Sequence, residues 1–210
     1  MLAPVVRQIR IERLGLAEYL PTLEAMRAFT ARRDAGTPDE LWLLEHPPVY
    51  TLGLGARAEH GPKADVGIPV VRAERGGQVT YHGPGQVVLY TLIDIARRSM
   101  TVRAFVSTLE QSVIDLLAGH GLRAARKPGA PGVYVDGAKI AALGIRVSRG
   151  RTFHGLALNV DLDLAPFAAI DPCGYPGLPV TRLRDLGIDQ SCAQAGNRLA
   201  EILRARLEHA

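Results

Sequence analysis

Residues 132–147, GVYVDGAKIAALGIRV, constrain the fold more than any other stretch of the chain. Two apolar runs flank an Asp-Gly pair, and Asp136-Gly137 suits a two-residue type I′ turn, in which both central residues take positive φ. The stretch therefore predicts a hairpin, and TFHGLALNVDL predicts a further strand after the SRGR turn. Around them, VVRQIRIERL, LWLLEH, VYTLG, VTYH and QVVLYTLID read as strands. Pro47-Pro48 puts a kink between two of these, and the GPG turn signal separates two others. Helices are expected over about Leu16 to Arg33, interrupted near its start by Pro21, and over about Ser191 to Leu207. A third is capped by Thr101, buries Val102, Phe105, Val106, Leu109, Val113, Leu116 and Leu117, and stops at Gly121. Hairpins outnumber βαβ units, so the fold class is α+β, with a mixed, largely antiparallel sheet flanked by helices.

The 210 residues carry no internal repeat, low-complexity tract or linker, so one domain over 1–210 is expected. The longest apolar run, Val87 to Ala96, is far short of the roughly 20 residues that span a bilayer. MLAPVVRQIR lacks the pattern of a secretory signal. Two cysteines make no disulfide scaffold and fit a reducing cytoplasm. The net charge of +4 comes from dispersed arginines with few aromatics between them, weak evidence for nucleic acid and better evidence for tolerance of an acidic partner. No CxxC, HExxH or other His/Cys spacing points to a metal. A monomer suffices.

In RGGQVTYHGPGQ, four glycines and a proline flank the strand VTYH. No Gly-Lys-Ser/Thr follows, so the run is not a P-loop, and a strand rather than a helix comes next, so it is not a dinucleotide fingerprint. It is a tight hairpin or a binding loop, the latter favoured by Arg75, Thr80, Tyr81, His82 and Gln86. Strand alternation in AKIAALGIRV puts Ala142 and Gly144 on one face, and Gly155, Ala157 and Asn159 make a similar small-residue face in the returning strand. Aligned, the two faces form a shallow trough for a chain-like ligand. The same alternation puts Lys139 on the opposite side, with Ala141, Leu143, Ile145 and Val147, unless a bulge or strong twist intervenes. His82 and His154 read as satisfied structural histidines.

DPCGYPG (171–177) sets Cys173 in a turn of prolines and glycines expected at the surface, where a structural thiol has little purpose. A thiol with pKa near 8.5 is only about 3% thiolate at pH 7, and a nearby ammonium raises that share. Of the chain's three lysines, Lys63, Lys127 and Lys139, only Lys139 lies in an apolar strand that could hold a fixed charge. A Cys173/Lys139 pair for acyl transfer is the sharp hypothesis.

Taken together and in order, EHPPVYTLG, RGGQVTYHGPGQ, KIAALGIRV, FHGLALNVDLDL and DPCGYPG make the chain resemble the lipoyl(octanoyl) transferase family from about Leu41 to Gly177. The resemblance implies the fold of biotin/lipoyl protein ligases, related to class II synthetase catalytic domains. It implies a cytoplasmic, ATP-independent acyltransferase without a cofactor. The donor would be octanoyl-acyl carrier protein; the acceptors would be lysines of the lipoyl domains of 2-oxoacid dehydrogenase complexes and of the glycine cleavage H protein. By the same resemblance Cys173 carries the acyl thioester and Lys139 activates it. Substrate-binding segments fall on Arg75, Gly76, Gly77, Gln78, Val79, Thr80, Tyr81 and His82, on Ala142, Leu143 and Gly144, and on Gly155, Leu156 and Ala157. Three alternatives stand beside this reading: an ATP-dependent lipoate or biotin ligase, a thioesterase-like hydrolase using His82 or His154 as base, and a non-catalytic acyl- or protein-binding module.

Overall fold

The computed structural model describes residues 8–63 and 67–209, with every side chain among them except those of Ala58 and Cys173. In order the chain forms β1 (Ile9–Leu16), α1 (Tyr19–Arg32), β2 (Asp39–Glu45), β3 (Val49–Leu52), β4 (Val70–Arg72), β5 (Val79–His82) and β6 (Gln86–Leu92). It continues with α2 (Val102–Ala118), β7 (Gly132–Val135), β8 (Ala138–Ser148), β9 (Arg151–Asn159) and α3 (Cys192–Glu208). The part of VVRQIRIERL that precedes Gln8 lies outside the described residues.

The α+β class and the mixed, mainly antiparallel pairing stand, but the strands divide between two sheets. The larger has the order β1-β2-β6-β9-β8-β7 and the smaller β4-β3-β5. Pairing is parallel for β1–β2 and β3–β4 and antiparallel elsewhere. The kink at Pro47-Pro48 is the crossing from the large sheet to the small one. Gly83 to Gly85 make the crossing back, so β5 and β6 do not pair and the tight-hairpin reading of the GPG turn is excluded. Gly85 fits because its φ is +89° and an added Cβ would lie 2.6 Å from the Asp161 backbone.

One face of the large sheet packs on α2 and α3 through Phe105, Leu109, Val113, Leu199 and Leu203, all fully buried. Its other face meets α1 through Leu23, Met26 and Phe29, and the small sheet stands beside it around Tyr50, Tyr81 and Phe167. Thr101 caps α2 as expected, its side chain accepting from the Ala104 N–H at 3.1 Å. Val102, placed on the buried stripe by periodicity, is instead 46% exposed, because it is the first residue of the helix and faces outward. Pro21 does not interrupt α1; it occupies the first turn, where no intrahelical N–H donor is required. At the central hairpin, Asp136 and Gly137 have φ of 48° and 82°, as a type I′ turn demands. No helix among the described residues is long and apolar enough to cross a membrane.

Candidate active site

The two small-residue faces do align: Ala142 pairs with Ala157 and Gly144 with Gly155 across β8 and β9. The trough they leave is roofed by the loop before β5. The Gly76 N–H donates to the Ile145 carbonyl at 2.9 Å. A Cβ on Gly144 would stand 2.8 Å from the Gly76 oxygen, so only glycine admits this roof. The result is a cavity of about 460 Å³. Residues 75–80, His82, 142–144 and 155–157 line it, joined by Ile145, Tyr19, Tyr90 and His154. Of the expected binding segments only Tyr81 is elsewhere: alternation along β5 turns it to Tyr50 and Phe167.

Arg75 is held rather than presented. Its guanidinium donates to the Thr51 carbonyl at 2.6 Å, to Thr51 Oγ1 at 2.8 and 3.1 Å, and to the Gly76 carbonyl at 3.0 Å. This 8%-exposed cation thus ties the roof loop to β3.

Lys139 lies on the trough side, contrary to strict alternation. Val133 pairs with Ala141 but Tyr134 pairs with Lys139, so Ile140 is an extra residue on β8. This β-bulge reverses the parity of everything before it. Ile140 turns into the core with Ala141, and Lys139 joins the face of Ala142 and Gly144. The Lys139 amine, in a residue 3% exposed, donates to the Pro131 carbonyl at 3.0 Å and lies 5.1 Å from the Tyr134 ring centre. Gly132 leaves it room, since a Cβ there would stand 3.1 Å from Nζ. No sequence signal marks such a bulge.

Chain following the DPCGYPG turn returns to this lysine. The Lys139 N–H donates to the Pro179 carbonyl at 2.8 Å and the Thr181 N–H to the Lys139 carbonyl at 3.0 Å. The side chain of Cys173 lies outside the described residues; its backbone belongs to a short 3₁₀ turn, Pro172–Gly174. DPCGYPG was expected at the surface as a whole, but only Tyr175, Pro176 and Gly177 are exposed; Gly174 is half-buried, and Asp171 and Pro172 are buried. Asp171 accepts from Lys63 Nζ at 2.7 Å and contacts His60 Nδ1 at 3.2 Å, and both hold its carboxyl below the usual range. Gly174 sits against Gln78 of the roof, and Tyr175 lines the cavity mouth, its hydroxyl donating to the Gly129 carbonyl at 3.3 Å.

The inner end of the cavity is aromatic and neutral. His46 Nδ1 faces the Ala17 carbonyl at 2.6 Å, so it carries the proton, and Nε2 accepts from the Tyr90 hydroxyl at 2.7 Å. His82 Nδ1 donates to Gln86 Oε1 at 2.7 Å, as Gln86 Nε2 is committed to Asn159 Oδ1 and the Tyr81 carbonyl. His82 is thus the satisfied structural histidine expected. His154 is not: its Nε2 is buried with no hydrogen-bond partner among the described residues. Its φ is +60° in the middle of β9, a conformation that costs about 1–3 kcal/mol. The left-handed step puts its ring beside that of Phe153, 5.1 Å away and nearly parallel, and toward Tyr90. The β6–β9 ladder ends at this step, at Tyr90–Gly155, and the Thr91 hydroxyl bonds the His154 carbonyl at 3.0 Å. Sequence reasoning missed Tyr19 and Tyr90, which carry no motif of their own, and His46, which was passed over inside EHPPVYTLG.

Burial pushes His82 and His154 down to about 3. An imidazole depressed from 6.5 contributes stability that is fully present above pH 6.5 and lost as pH falls toward 3. Urea midpoints should therefore drop from pH 6.5 to 4.5, before most carboxylates titrate. Each of the two contributes up to about 1.4 kcal/mol per pH unit, and His154→Asn should show a slope shallower by one proton. A flat profile over that range would contradict neutral, buried imidazoles.

Residues 18–204 match the family model described as the lipoyl protein ligase A/B catalytic domain. A protein named octanoyltransferase from Aromatoleum aromaticum (strain DSM 19018 / LMG 30748 / EbN1) is 60% identical over 197 residues, which are 94% of this chain and 85% of that protein. Another of that name, from Thiobacillus denitrificans (strain ATCC 25259 / T1), is 58% identical over 209 residues, covering 96% of this chain and 95% of its own. Among solved structures, lipoate-protein ligase A bound with ATP superposes with a TM-score of 0.78 at 19% identity, over 95% of this chain and 85% of that one. Biotin protein ligase from Aquifex aeolicus with biotin and ATP gives 0.62 at 14% identity, over 93% and 70%. At these identities the structures speak for the fold alone.

Proposed function

The chain belongs to the lipoyl protein ligase A/B catalytic domain family, and on that footing we propose that it transfers an octanoyl group from octanoyl-acyl carrier protein to a lysine of a lipoyl domain, in the cytoplasm, through a thioester on Cys173. The thiolate of Cys173 attacks the carrier thioester, the carrier thiol leaves with a proton, and one thioester replaces another. The acceptor amine then attacks the acyl-enzyme, loses a proton and releases the thiol, and the amide formed makes this step downhill. No ATP enters, because the donor is already activated. Lys139 stabilises the thiolate and relays the proton at each step. The trough and its roof, 75–80, His82, 142–144 and 155–157, hold the acyl chain; Tyr81, turned away from the cavity, has no part in that reading.

The observation that carries this proposal is the bulge at Ile140. It brings the buried Lys139 amine to the trough face, and the chain leading from the cysteine turn pairs with the backbone of that residue. Small residues alone would make a groove; a fixed cation beside it suits thiol chemistry. Incubation with octanoyl-carrier alone, without ATP, should add one octanoyl to the intact mass, and digestion should place it on Cys173. No adduct without ATP, with free octanoate incorporated when ATP is added, would assign ligase chemistry instead.

A further inference from the structure

The carbonyl that Lys139 donates to is itself held from behind. The Pro131 carbonyl and the Gly132 N–H belong to one peptide group, and in a trans peptide they point in opposite directions. On one side the Pro131 oxygen accepts from Lys139 Nζ at 3.0 Å. On the other the Gly132 N–H donates to Glu110 Oε1 at 3.0 Å. Glu110 lies in α2, one turn after Val106, which lines the cavity. The helix buries it along with Leu109 and Val113, where a carboxylate is costly unless bonded. Its Oε2 accepts from Arg126 Nε at 3.0 Å, and Arg126 also donates to the Ser107 carbonyl and to Gln111 Oε1. The chain alone does not fix the Pro131–Gly132 peptide. Gly132 has a φ of +144°, in a region that glycine enters freely, so the peptide turns at little cost. Without an acceptor, the buried Gly132 N–H would turn toward another partner. The same rotation would carry the Pro131 oxygen away from Nζ.

We propose that Glu110 is a positioning residue for Lys139: its carboxylate fixes the Pro131–Gly132 peptide with the carbonyl turned to Nζ, and so holds the amine where thiol chemistry needs it. The inference rests on the octanoyl-transfer reading and adds what keeps the lysine in place. Other charged and titratable groups surround the pair. Arg126 and Lys127 come from the loop before β7, Tyr134 from β7 and Tyr175 from the cysteine turn. Lys127 Nζ stands 5.9 Å from each of the two ring centres, and Lys139 Nζ stands 5.1 Å from that of Tyr134.

The test reads two quantities: the single-turnover rate at which octanoyl-carrier acylates Cys173, and the pH midpoint of Cys173 alkylation by iodoacetamide. Glu110→Ala should slow acylation by up to about 100-fold, the cost of roughly 1 Å of misplacement. It should also raise the alkylation midpoint toward that of Lys139→Met. The direction separates positioning from charge, because deleting a carboxylate acts directly on a nearby thiol only by lowering its midpoint. In a Lys139→Met background Glu110→Ala should raise the midpoint no further, having no lysine to act through. Glu110→Met keeps the length and apolar packing of the side chain, removes both oxygens, and serves if Glu110→Ala fails to fold. Glu110→Gln, whose amide oxygen still accepts from Gly132, should restore most of the rate. Arg126→Gln, which cuts only the other tie, should leave both readouts as in the wild type. A midpoint that stays or falls in Glu110→Ala and Glu110→Met, or that rises as far in the Lys139→Met background, would overturn the positioning role alone. A wild-type protein that takes no octanoyl on Cys173 would overturn the octanoyl-transfer reading with it.

Discussion

Lys139→Met should lower kcat/KM for octanoyl transfer by roughly 10²–10⁴-fold, the range usual for a positioned acid–base group, while the protein stays folded. The amine is buried, bonded to the Pro131 carbonyl and seated by Gly132, so methionine replaces its stem at similar volume and removes the charge together with that hydrogen bond. Melting temperature should change little, because the Pro131 carbonyl left without its donor is offset by a buried charge that no longer needs solvating. Loss of rate with unchanged melting separates chemistry from folding. Lys139→Arg should not restore the rate, since the planar guanidinium cannot fit the space that Gly132 leaves beside Nζ. A Lys139→Met protein retaining more than a tenth of wild-type activity would remove Lys139 from the mechanism.

Gly155→Ala should destabilise the fold by about 3 kcal/mol or more, at the upper end for overpacking, which lowers the melting temperature by roughly 6–12 °C in a chain of this size. A Cβ at 155 would lie 2.1 Å from the Leu89 carbonyl oxygen and 3.1 Å from the Leu89 carbonyl carbon and Tyr90 Cα. These are backbone atoms of the neighbouring strand, so no side chain can move aside. The glycine follows the left-handed His154, where β9 closes against β6. Gly36→Ala is the matched control: only Asp34 Oδ1 comes within reach, at 3.6 Å, and its effect should stay within about 0.5 kcal/mol. Equal melting shifts for the two variants would contradict this account of the strand crossing.

Period-2 and period-3.6 patterns made the central hairpin, α2 and α3 readable, and the small faces of 142–144 and 155–157 were readable for the same reason. What alternation could not reveal is where alternation breaks. Ile140 and His154 each break it by one residue. The first carries an ordinary apolar side chain and the second an ordinary histidine; the first shifts the β7–β8 register, and the second turns at a positive φ while keeping its place opposite Ile145. The bulge corrects the position of Lys139, and the left-handed step makes His154 part of the cavity rather than a satisfied core residue. The division into two sheets was hidden similarly: Pro47-Pro48 and the GPG turn mark breaks in the chain but not which sheet each strand joins. Tyr81 was included with its neighbours by the binding-loop reading and by the resemblance alike, whereas the pleat of β5 turns it toward Tyr50 and Phe167.

The central claim, that the Lys139 ammonium keeps the Cys173 thiol ionised near neutral pH, is tested most directly by the pH dependence of thiol alkylation by iodoacetamide. Cys192 does not interfere, because burial and the neighbouring Glu45 push its thiol up to about 12. The wild-type rate should rise with a midpoint at about pH 7 or below, and Lys139→Met should move that midpoint toward about 8.5. A wild-type midpoint already at about 8.5, or one that Lys139→Met leaves in place, would contradict the claim.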